Sequence, residues 1–231
     1  MIQVNPLARR AVVFLQMAVV WLACLSTAWT QLPAGDCPPL PRSLPPMGLE
    51  IPAEQKAAWL QRIQELEAAT ARVDSVFLPD VRVLLKACRF AVEFNELYQP
   101  QDFAKVDRLL QLAEQRLQAL TEGQAAWAQA DGRQIRGFVS GVGGSVQPLG
   151  MILPPGWQTA SQPLPLYVWL HGRGDKATDV HFLCERLDKN GQIVPEGALV
   201  LHPFGRQCIG YKSAGETDVM EAIDWVCANY P

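Results

Sequence analysis

The sequence predicts an α/β fold in which a helical hairpin or bundle precedes an incomplete α/β sheet. Three observations support this class. Apolar residues with helical spacing, divided by prolines, run through residues 52–124, two β-like segments joined by glycines begin near residue 131, and apolar strands then alternate with helices up to residue 231. Alternation of strands and helices after a hairpin is typical of a sheet that grows by parallel strands.

Composition and charge are those of a globular protein. Of the 231 residues, 49% are hydrophobic and 19% are charged, and the net charge is −3. No basic stripe with interleaved aromatic residues is present, so we predict no nucleic-acid partner. The histidines follow no zinc-peptidase spacing, and Cys184, Cys208 and Cys227 are too far apart for a metal knuckle. We therefore predict no metal site.

The N-terminus predicts export. Arg9 and Arg10 precede an uncharged run over residues 11–29, and Ser26 and Ala28 suit a signal cleavage site. We expect residues 1–28 to be a signal peptide, or a membrane anchor if they stay uncleaved, so a membrane is a partner only in the second case. The protein is then extracytoplasmic, either secreted or periplasmic. The dense prolines of residues 29–51 predict an extended linker.

Residues 52–124 predict three helices. Pro52, Pro79 and Pro100 each suit a first helical turn, and Gly123 suits the end of the third helix. Apolar residues recur at three- and four-residue spacing, as in the stripe Val106, Leu109, Leu110, Ala113, Leu117 and Leu120. No strict heptad with flanking charges persists, which favours packing onto a neighbouring domain over a coiled-coil arm.

Residues 131–231 predict a hairpin followed by alternating strands and helices. The hairpin strands are expected at 133–140 and 145–153, joined by a glycine-rich turn. Buried apolar strands are expected at 164–170 and 198–202, and in an incomplete sheet the first of them would leave an apolar edge exposed. Thr178 and Thr217, each followed by an aspartate, are expected to begin the two helices.

Four pieces of this region occur in a distinctive order. A hairpin ends at Leu153-Pro154-Pro155-Gly156-Trp157, one strand runs into His171-Gly172-Arg173-Gly174-Asp175, another runs into Pro203-Phe204-Gly205-Arg206, and Gly215-Glu216-x-Asp218 opens a helix. In this order the region from about Val146 onward resembles the secreted α/β-hydrolase superfamily, in particular prolyl-oligopeptidase-like peptidases and polyhydroxybutyrate-depolymerase-like esterases.

The resemblance implies an exported serine hydrolase that acts on a peptide or carboxylic ester through an acyl-enzyme, with no metal or organic cofactor. It implies that the backbone amide of Gly172 or Arg173 belongs to an oxyanion hole, and that His171 organises the loop. The nucleophile, the acid and the catalytic histidine are expected beyond Pro231. Residues 131–231 are then the N-terminal part of a catalytic domain, and this chain alone is expected to be inactive.

Other residues have alternative interpretations. Tyr211, Glu216 and Asp218 are candidates for an active-site rim, while the two carboxylates equally fit the N-terminus of a helix. Ser213 half matches a nucleophile turn, but Tyr211 stands where glycine is usual, and a capping box with Glu216 is favoured. The alternative function is a non-enzymatic exported protein whose helical module binds a partner.

Overall fold

The computed structural model describes residues 45–207 and 210–231, all of which belong to one compact unit, Arg42–Pro231. The predicted signal peptide or anchor at 1–28, residues 29–44 of the predicted linker, and Cys208 lie outside the described residues. Within the described residues, no helix is both long enough and apolar enough to cross a membrane.

The three N-terminal helices form where the prolines and apolar stripes predict them. They are α1 (Ala53–Thr70), α2 (Pro79–Glu93) and α3 (Phe103–Thr121), and a 3₁₀ turn over Pro100–Asp102 precedes α3. Pro52 immediately precedes α1, Pro79 begins α2, and Gly123 adopts a φ of 71° just after α3. The predicted apolar stripe of α3 is buried along its whole length.

The rest of the chain forms a four-stranded mixed sheet with two further helices. In chain order these elements are β1 (Gly132–Val139), β2 (Val146–Leu153), β3 (Leu166–Val168), α4 (Asp179–Asp188), β4 (Leu199–Pro203) and α5 (Ala214–Asn229). The strands lie in the order β1-β2-β4-β3, with β2 antiparallel to both of its neighbours and β3 parallel to β4. The fold is therefore of the mixed α/β kind that the sequence predicts.

Strand β3 differs from its prediction. The expected buried strand at 164–170 is reduced to three paired residues, and the side chains of Tyr167 and Val168 are 48% and 36% exposed. The reason is its place in the sheet, because among the described residues β3 pairs only with β4 and forms an edge. An apolar sequence alone does not distinguish an edge strand from a central one.

Helices α1–α3 and the sheet share a hydrophobic core. One cluster of buried residues joins the apolar faces of these helices to Ile135 of β1 and to Val180 and Leu183 of α4. A second cluster combines residues of β2 and β4 with Ala222 and Val226 of α5. Both helical groups are thus held by apolar burial, which is the main favourable term in folding.

A buried carboxylate reinforces the junction between α2 and β1. Asp80 is 1% exposed, and its Oδ1 accepts a hydrogen bond from the amide of Gly137 at 2.8 Å. Its Oδ2 accepts from Arg136 Nε at 2.8 Å and from Trp127 Nε1 at 2.9 Å. Gly137 is required for this close approach, because a Cβ at this position would collide with the backbone oxygen of Pro79.

Candidate functional site

The predicted oxyanion loop connects β3 to α4. It begins where the Trp169 amide donates to the Leu201 carbonyl at 2.8 Å, which extends the parallel pairing by one bond. Gly172 and Arg173 follow in an exposed stretch, and their amides have no hydrogen-bond partner among the described residues. Two backbone donors are therefore available at this point of the loop.

A cavity of about 460 Å³ lies beside this loop. Its walls are formed by the loop, by one side of α4 and by the segment after α4, and they include Trp169, His171, Gly172 and Phe182. This volume falls in the range of small-molecule sites, about 300–1,000 Å³. The loop that the sequence singled out thus borders a space large enough for a ligand.

His171 links the loop to the end of β4. Its Nδ1 lies 2.9 Å from the Gly172 carbonyl oxygen, and its Nε2 lies 2.9 Å from the Phe204 carbonyl oxygen. A neutral imidazole donates from one nitrogen only, and only the imidazolium donates to both carbonyls. No hydroxyl or thiol among the described residues hydrogen-bonds to this ring, so its geometry is that of a positioning residue and not of a general base.

Tyr211 lies next to His171, with ring centroids 5.1 Å apart. Its φ is 56°, and its ring covers Gly205 so closely that a Cβ there would overlap the ring. Burial raises the pKa of Tyr211 to about 12, and the backbone amide of His171 partly opposes this shift. Of the three rim candidates, Tyr211 is the one in contact with the loop.

Asp218 lies on the buried face of α5 and hydrogen-bonds to residues of two loops. The prediction that Thr217 and Asp218 begin this helix is wrong, since α5 begins at Ala214 and its buried stripe includes Gly215 and Asp218. Asp218 accepts hydrogen bonds from Ser140 Oγ at 2.8 Å and from Arg206 Nε at 2.6 Å. The carboxylate therefore ties α5 to the β1–β2 turn and to the segment after β4.

Glu216 lies in the first turn of α5 and is exposed to solvent. At this position a carboxylate favours the helix N-terminus through the partial positive charge there. This matches the second of the two interpretations given for Glu216 from the sequence.

Ser213 precedes α5 with a strained backbone, φ 51° and ψ −122°. It occupies the N-cap position, but the predicted side-chain cap is wrong: its hydroxyl makes no cap hydrogen bond, and its carbonyl accepts from the Glu216 amide at 3.1 Å. Positive φ at a non-glycine residue is characteristic of turns and functional sites. However, no ring nitrogen of His171, His181 or His202 hydrogen-bonds to Ser213 within the described residues, so none of these histidines is placed to activate its hydroxyl.

His181 forms a hydroxyl–imidazole–carboxylate array that the sequence did not predict. Thr178 Oγ1 lies 2.9 Å from its Nδ1, and Asp102 Oδ2 lies 3.2 Å from its Nε2. Burial opposes ionisation of Asp102, but hydrogen bonds from Lys105, the Tyr98 amide and His181 lower the pKa of Asp102 to about 2. Thr178 is 1% exposed, so substrate does not reach its hydroxyl and the array joins α4 to the turn before α3.

The described part of the chain holds neither a cluster of metal ligands nor a disulfide. Residues 45–207 and 210–231 contain no group of three or more histidine, cysteine or acidic side chains able to hold a metal ion. Within the same ranges no two cysteines are bonded to each other, and the free thiols are those of Cys88, Cys184 and Cys227.

Comparison with known proteins gives no relative. No protein-family model, no curated protein and no solved structure matches this chain. The chemistry of the site therefore has to be inferred from its geometry.

Proposed function

We propose that this chain is part of an exported serine hydrolase, a peptidase or carboxylic-ester hydrolase, in which the amide of Gly172 or Arg173 helps to bind the oxyanion. One observation carries the proposal. The loop between β3 and α4 presents two unpaired backbone amides, and the residue that carries the first of them, Gly172, lines a cavity of about 460 Å³. The α/β-hydrolase oxyanion hole uses an amide from the loop after the third strand in the same way.

The chemistry assigned to this loop is charge stabilisation. When a serine hydroxyl attacks an ester or amide carbonyl, negative charge develops on the carbonyl oxygen, and a fixed N–H donor lowers the free energy of that state. His171 supports this role because its contact with the Phe204 carbonyl anchors the loop to β4 before any substrate arrives. A donor held in advance needs no reorganisation during the reaction.

The nucleophile is assigned to a further strand that follows residue 231 and pairs with the free edge of β3. Two observations support this assignment. The outer edge of β3 has no partner among the described residues, and the apolar residues Tyr167 and Val168 of β3 and Leu170 just after it are exposed. In this family the nucleophile turn G-x-S-x-G directly follows a strand, whereas Ser213 lies well past the end of β4.

The alternative function, a helical module that binds a partner, has less support. The apolar stripes of α2 and α3 are buried in the core shared with the sheet. These stripes are therefore already occupied, and a partner would have to use the polar faces of the helices.

The first test is the coding sequence after codon 231. A G-x-S-x-G turn within about 25 residues is expected, as the strand–turn–helix arrangement requires. A stop codon with no such turn would overturn the proposal. The 231-residue chain itself should not react with a fluorophosphonate, and labelling of Ser213 would contradict the assignment of the nucleophile.

The second test removes single amides in the extended enzyme. Gly172→Pro and Arg173→Pro each delete one N–H, and the one that serves the oxyanion should lower kcat by about 10²–10³. Arg173→Ala is the matched control because it keeps the amide while removing the exposed side chain, so its kcat should change by less than about 3-fold. If Arg173→Ala and Arg173→Pro lowered kcat equally and Gly172→Pro left kcat unchanged, neither amide would bind the oxyanion.

A further inference from the structure

A second cavity lies outside the carboxyl end of β4. Its volume is about 420 Å³, and its walls come from α2, from the start of β2, from the start of α4 and from the segment after β4. In open α/β sheets, ligands bind outside the carboxyl ends of the strands, and the volume falls in the range of small-molecule sites, about 300–1,000 Å³. It shares no lining residue with the cavity beside Gly172, so it is a separate candidate site.

Two cations in the wall of this cavity are held by buried carboxylates. Lys86 Nζ lies 2.7 Å from Asp179 Oδ1, and the two side chains are 17% and 4% exposed. Arg206 Nε lies 2.6 Å from Asp218 Oδ2, and the two side chains are 24% and 2% exposed. In both pairs the cation is the accessible partner, so the wall presents more positive than negative charge to a ligand.

Both cations keep donors that the protein does not use. Lys86 makes one hydrogen bond within the described residues, to Gln147 Oε1 at the long distance of 3.4 Å, whereas an ammonium has three donors. Arg206 donates through Nε and Nη2, and its Nη1 has no partner within the same part of the chain. This Nη1 is not one of the buried unpaired atoms of the described residues, so a ligand oxygen can reach it.

The two cations are joined before a ligand binds. Gln147 accepts from Lys86 through Oε1 and donates from Nε2 to Ser145 Oγ at 2.8 Å. Arg206 Nη2 donates to the same hydroxyl at 3.2 Å. Arg206 and Gln207 also adopt positive φ values of 53° and 66°, which non-glycine residues keep where their surroundings enforce them, often at ligand sites. The donors are therefore positioned in advance, which lowers the cost of binding.

The walls indicate the class of ligand. Phe90 adds half-buried aromatic surface, with Lys86 Nζ 5.7 Å from its ring centroid, and such surface favours an organic body over a bare ion. Asp179 borders the same cavity, so a singly charged carboxylate fits better than a dianionic phosphate, which Asp179 would repel more strongly. Hydrogen bonds from a guanidinium or ammonium to a carboxylate are about twice as strong as those between neutral groups.

We propose that this cavity binds the carboxylate of a small organic acid, with one oxygen on Lys86 Nζ–H, the other on Arg206 Nη1–H, and the organic part beside Phe90. The proposal depends only on described residues and does not require the hydrolase assignment. It gives α2 a part in ligand binding, because Lys86 and Phe90 both belong to that helix.

The test uses the full 231-residue chain with ¹⁵N-labelled backbone amides. At pH 7, benzoate should shift the amide signals of Ser145, Gln147 and Gln207 saturably, with a Kd below about 10 mM. The uncharged benzamide should not shift them, and inorganic phosphate should bind more weakly than benzoate. The amides of Gly172 and His181, which line the other cavity, show whether benzoate binds there instead.

Two variants break the same ion pair with opposite expected effects. Lys86→Met removes the cation but keeps an apolar stem, and should raise the Kd for benzoate at least about 10-fold, the loss expected for a charge-assisted hydrogen bond. Asp179→Asn removes a negative charge from the cavity wall and should lower the Kd at least about 3-fold at low salt. Damage to the fold alone would change both Kd values in the same direction. Arg82→Gln, at an exposed position on α2, is the matched control and should leave the Kd within about 2-fold of the wild-type value.

Several results would overturn the proposal. These are equal binding of benzoate and benzamide, phosphate binding as tight as that of benzoate, shifts confined to Gly172 and His181, and no saturable shift up to about 10 mM benzoate. An unchanged Kd in folded Lys86→Met, or weaker binding in folded Asp179→Asn, would overturn it as well. If neither variant folds, the comparison of benzoate with benzamide on the wild-type chain decides. None of these outcomes bears on the coding sequence after codon 231, so the two proposals fail separately.

Discussion

Replacing Asp80 by asparagine tests how the helices are joined to the sheet. Asp80 at the start of α2 accepts hydrogen bonds from the Gly137 amide, from Arg136 Nε and from Trp127 Nε1, all at 2.8–2.9 Å. Asparagine has nearly the same shape but no charge, and its amide NH₂ must face one of these donors. The substitution therefore leaves the buried Arg136 guanidinium without its counter-charge.

The expected loss of stability is large. Asp80 is 1% exposed and the Arg136 side chain is 5% exposed, so the pair is not solvated as a surface ion pair would be. Breaking a buried pair by removing one partner costs about 3–5 kcal/mol. With a urea m-value of about 1–3 kcal/mol/M, the unfolding midpoint of Asp80→Asn should fall by at least about 1 M.

A matched control is available in the same chain. Asp107 is an exposed carboxylate that also accepts from an indole, with Trp59 Nε1 at 2.7 Å. Asp107→Asn should cost less than about 1 kcal/mol, because solvent screens the interaction. Urea unfolding of both variants, followed by tryptophan fluorescence and circular dichroism, measures the difference. Losses that agree within about 0.5 kcal/mol would refute the assignment of Asp80 as the central polar contact.

Three further predictions concern packing, pH and thiol reactivity. Gly137→Ala should destabilise the protein by about 2–4 kcal/mol in the same urea assay, because its Cβ would collide with backbone rather than with a movable side chain. Burial and the charge of Arg186 lower the pKa of His202 from its ordinary 6.5 to about 4 in the folded protein, so the unfolded chain binds more protons between these values. Wild-type stability should therefore fall by about 3 kcal/mol as pH drops from about 6.5 to 4, and His202→Asn should show a flatter pH dependence. A variant that keeps only Cys88, Cys184 and Cys227 can be treated with a disulfide reagent. The reagent should label exposed Cys227 in the native protein, and buried Cys88 and Cys184 only after unfolding. Rapid labelling of all three thiols in the native protein would contradict the burial of Cys88 and Cys184.

The sequence predicted the elements better than their surroundings. Proline positions and apolar spacing located α1, α2 and α3, because both signals are local in the chain. The exposed edge of β3 was predicted, but its short length was not, because the paired length depends on β4, whose residues lie some thirty positions later in the chain. The start of α5 was predicted at two places, and the Ser213 N-cap agrees with the observed start at Ala214. The alternative start at Thr217 and Asp218 was wrong because Asp218 fits a helix N-terminus on chemistry alone, whereas its partner Arg206 is set by the tertiary fold.

In the candidate site, too, the features that are local in the chain were predicted and those that depend on tertiary packing were not. The loop at Gly172 and Arg173 was found from a contiguous motif. The hydrogen-bonded pair of Arg186 and His202, which line the cavity beside this loop, was not, because its members lie on different elements and meet only when α4 packs on the sheet. A signal for this pair was nevertheless present. Gly150 lies in the middle of a predicted strand, where an isolated glycine often marks a close approach by another group, and here that group is the stem of Arg186.

The common core of α1–α3 and the sheet has a practical consequence for dissecting this protein. Arg116 of α3 donates one hydrogen bond to the Asp80 carbonyl and another to the Ile135 carbonyl of β1, both at 3.1 Å. Removing residues before 131 to obtain a minimal domain would deprive β1 of the bond to Ile135 and expose its apolar side chains. Heating the intact chain should produce one melting transition for both regions, and gene fusions or exchanges should carry residues 52–231 together.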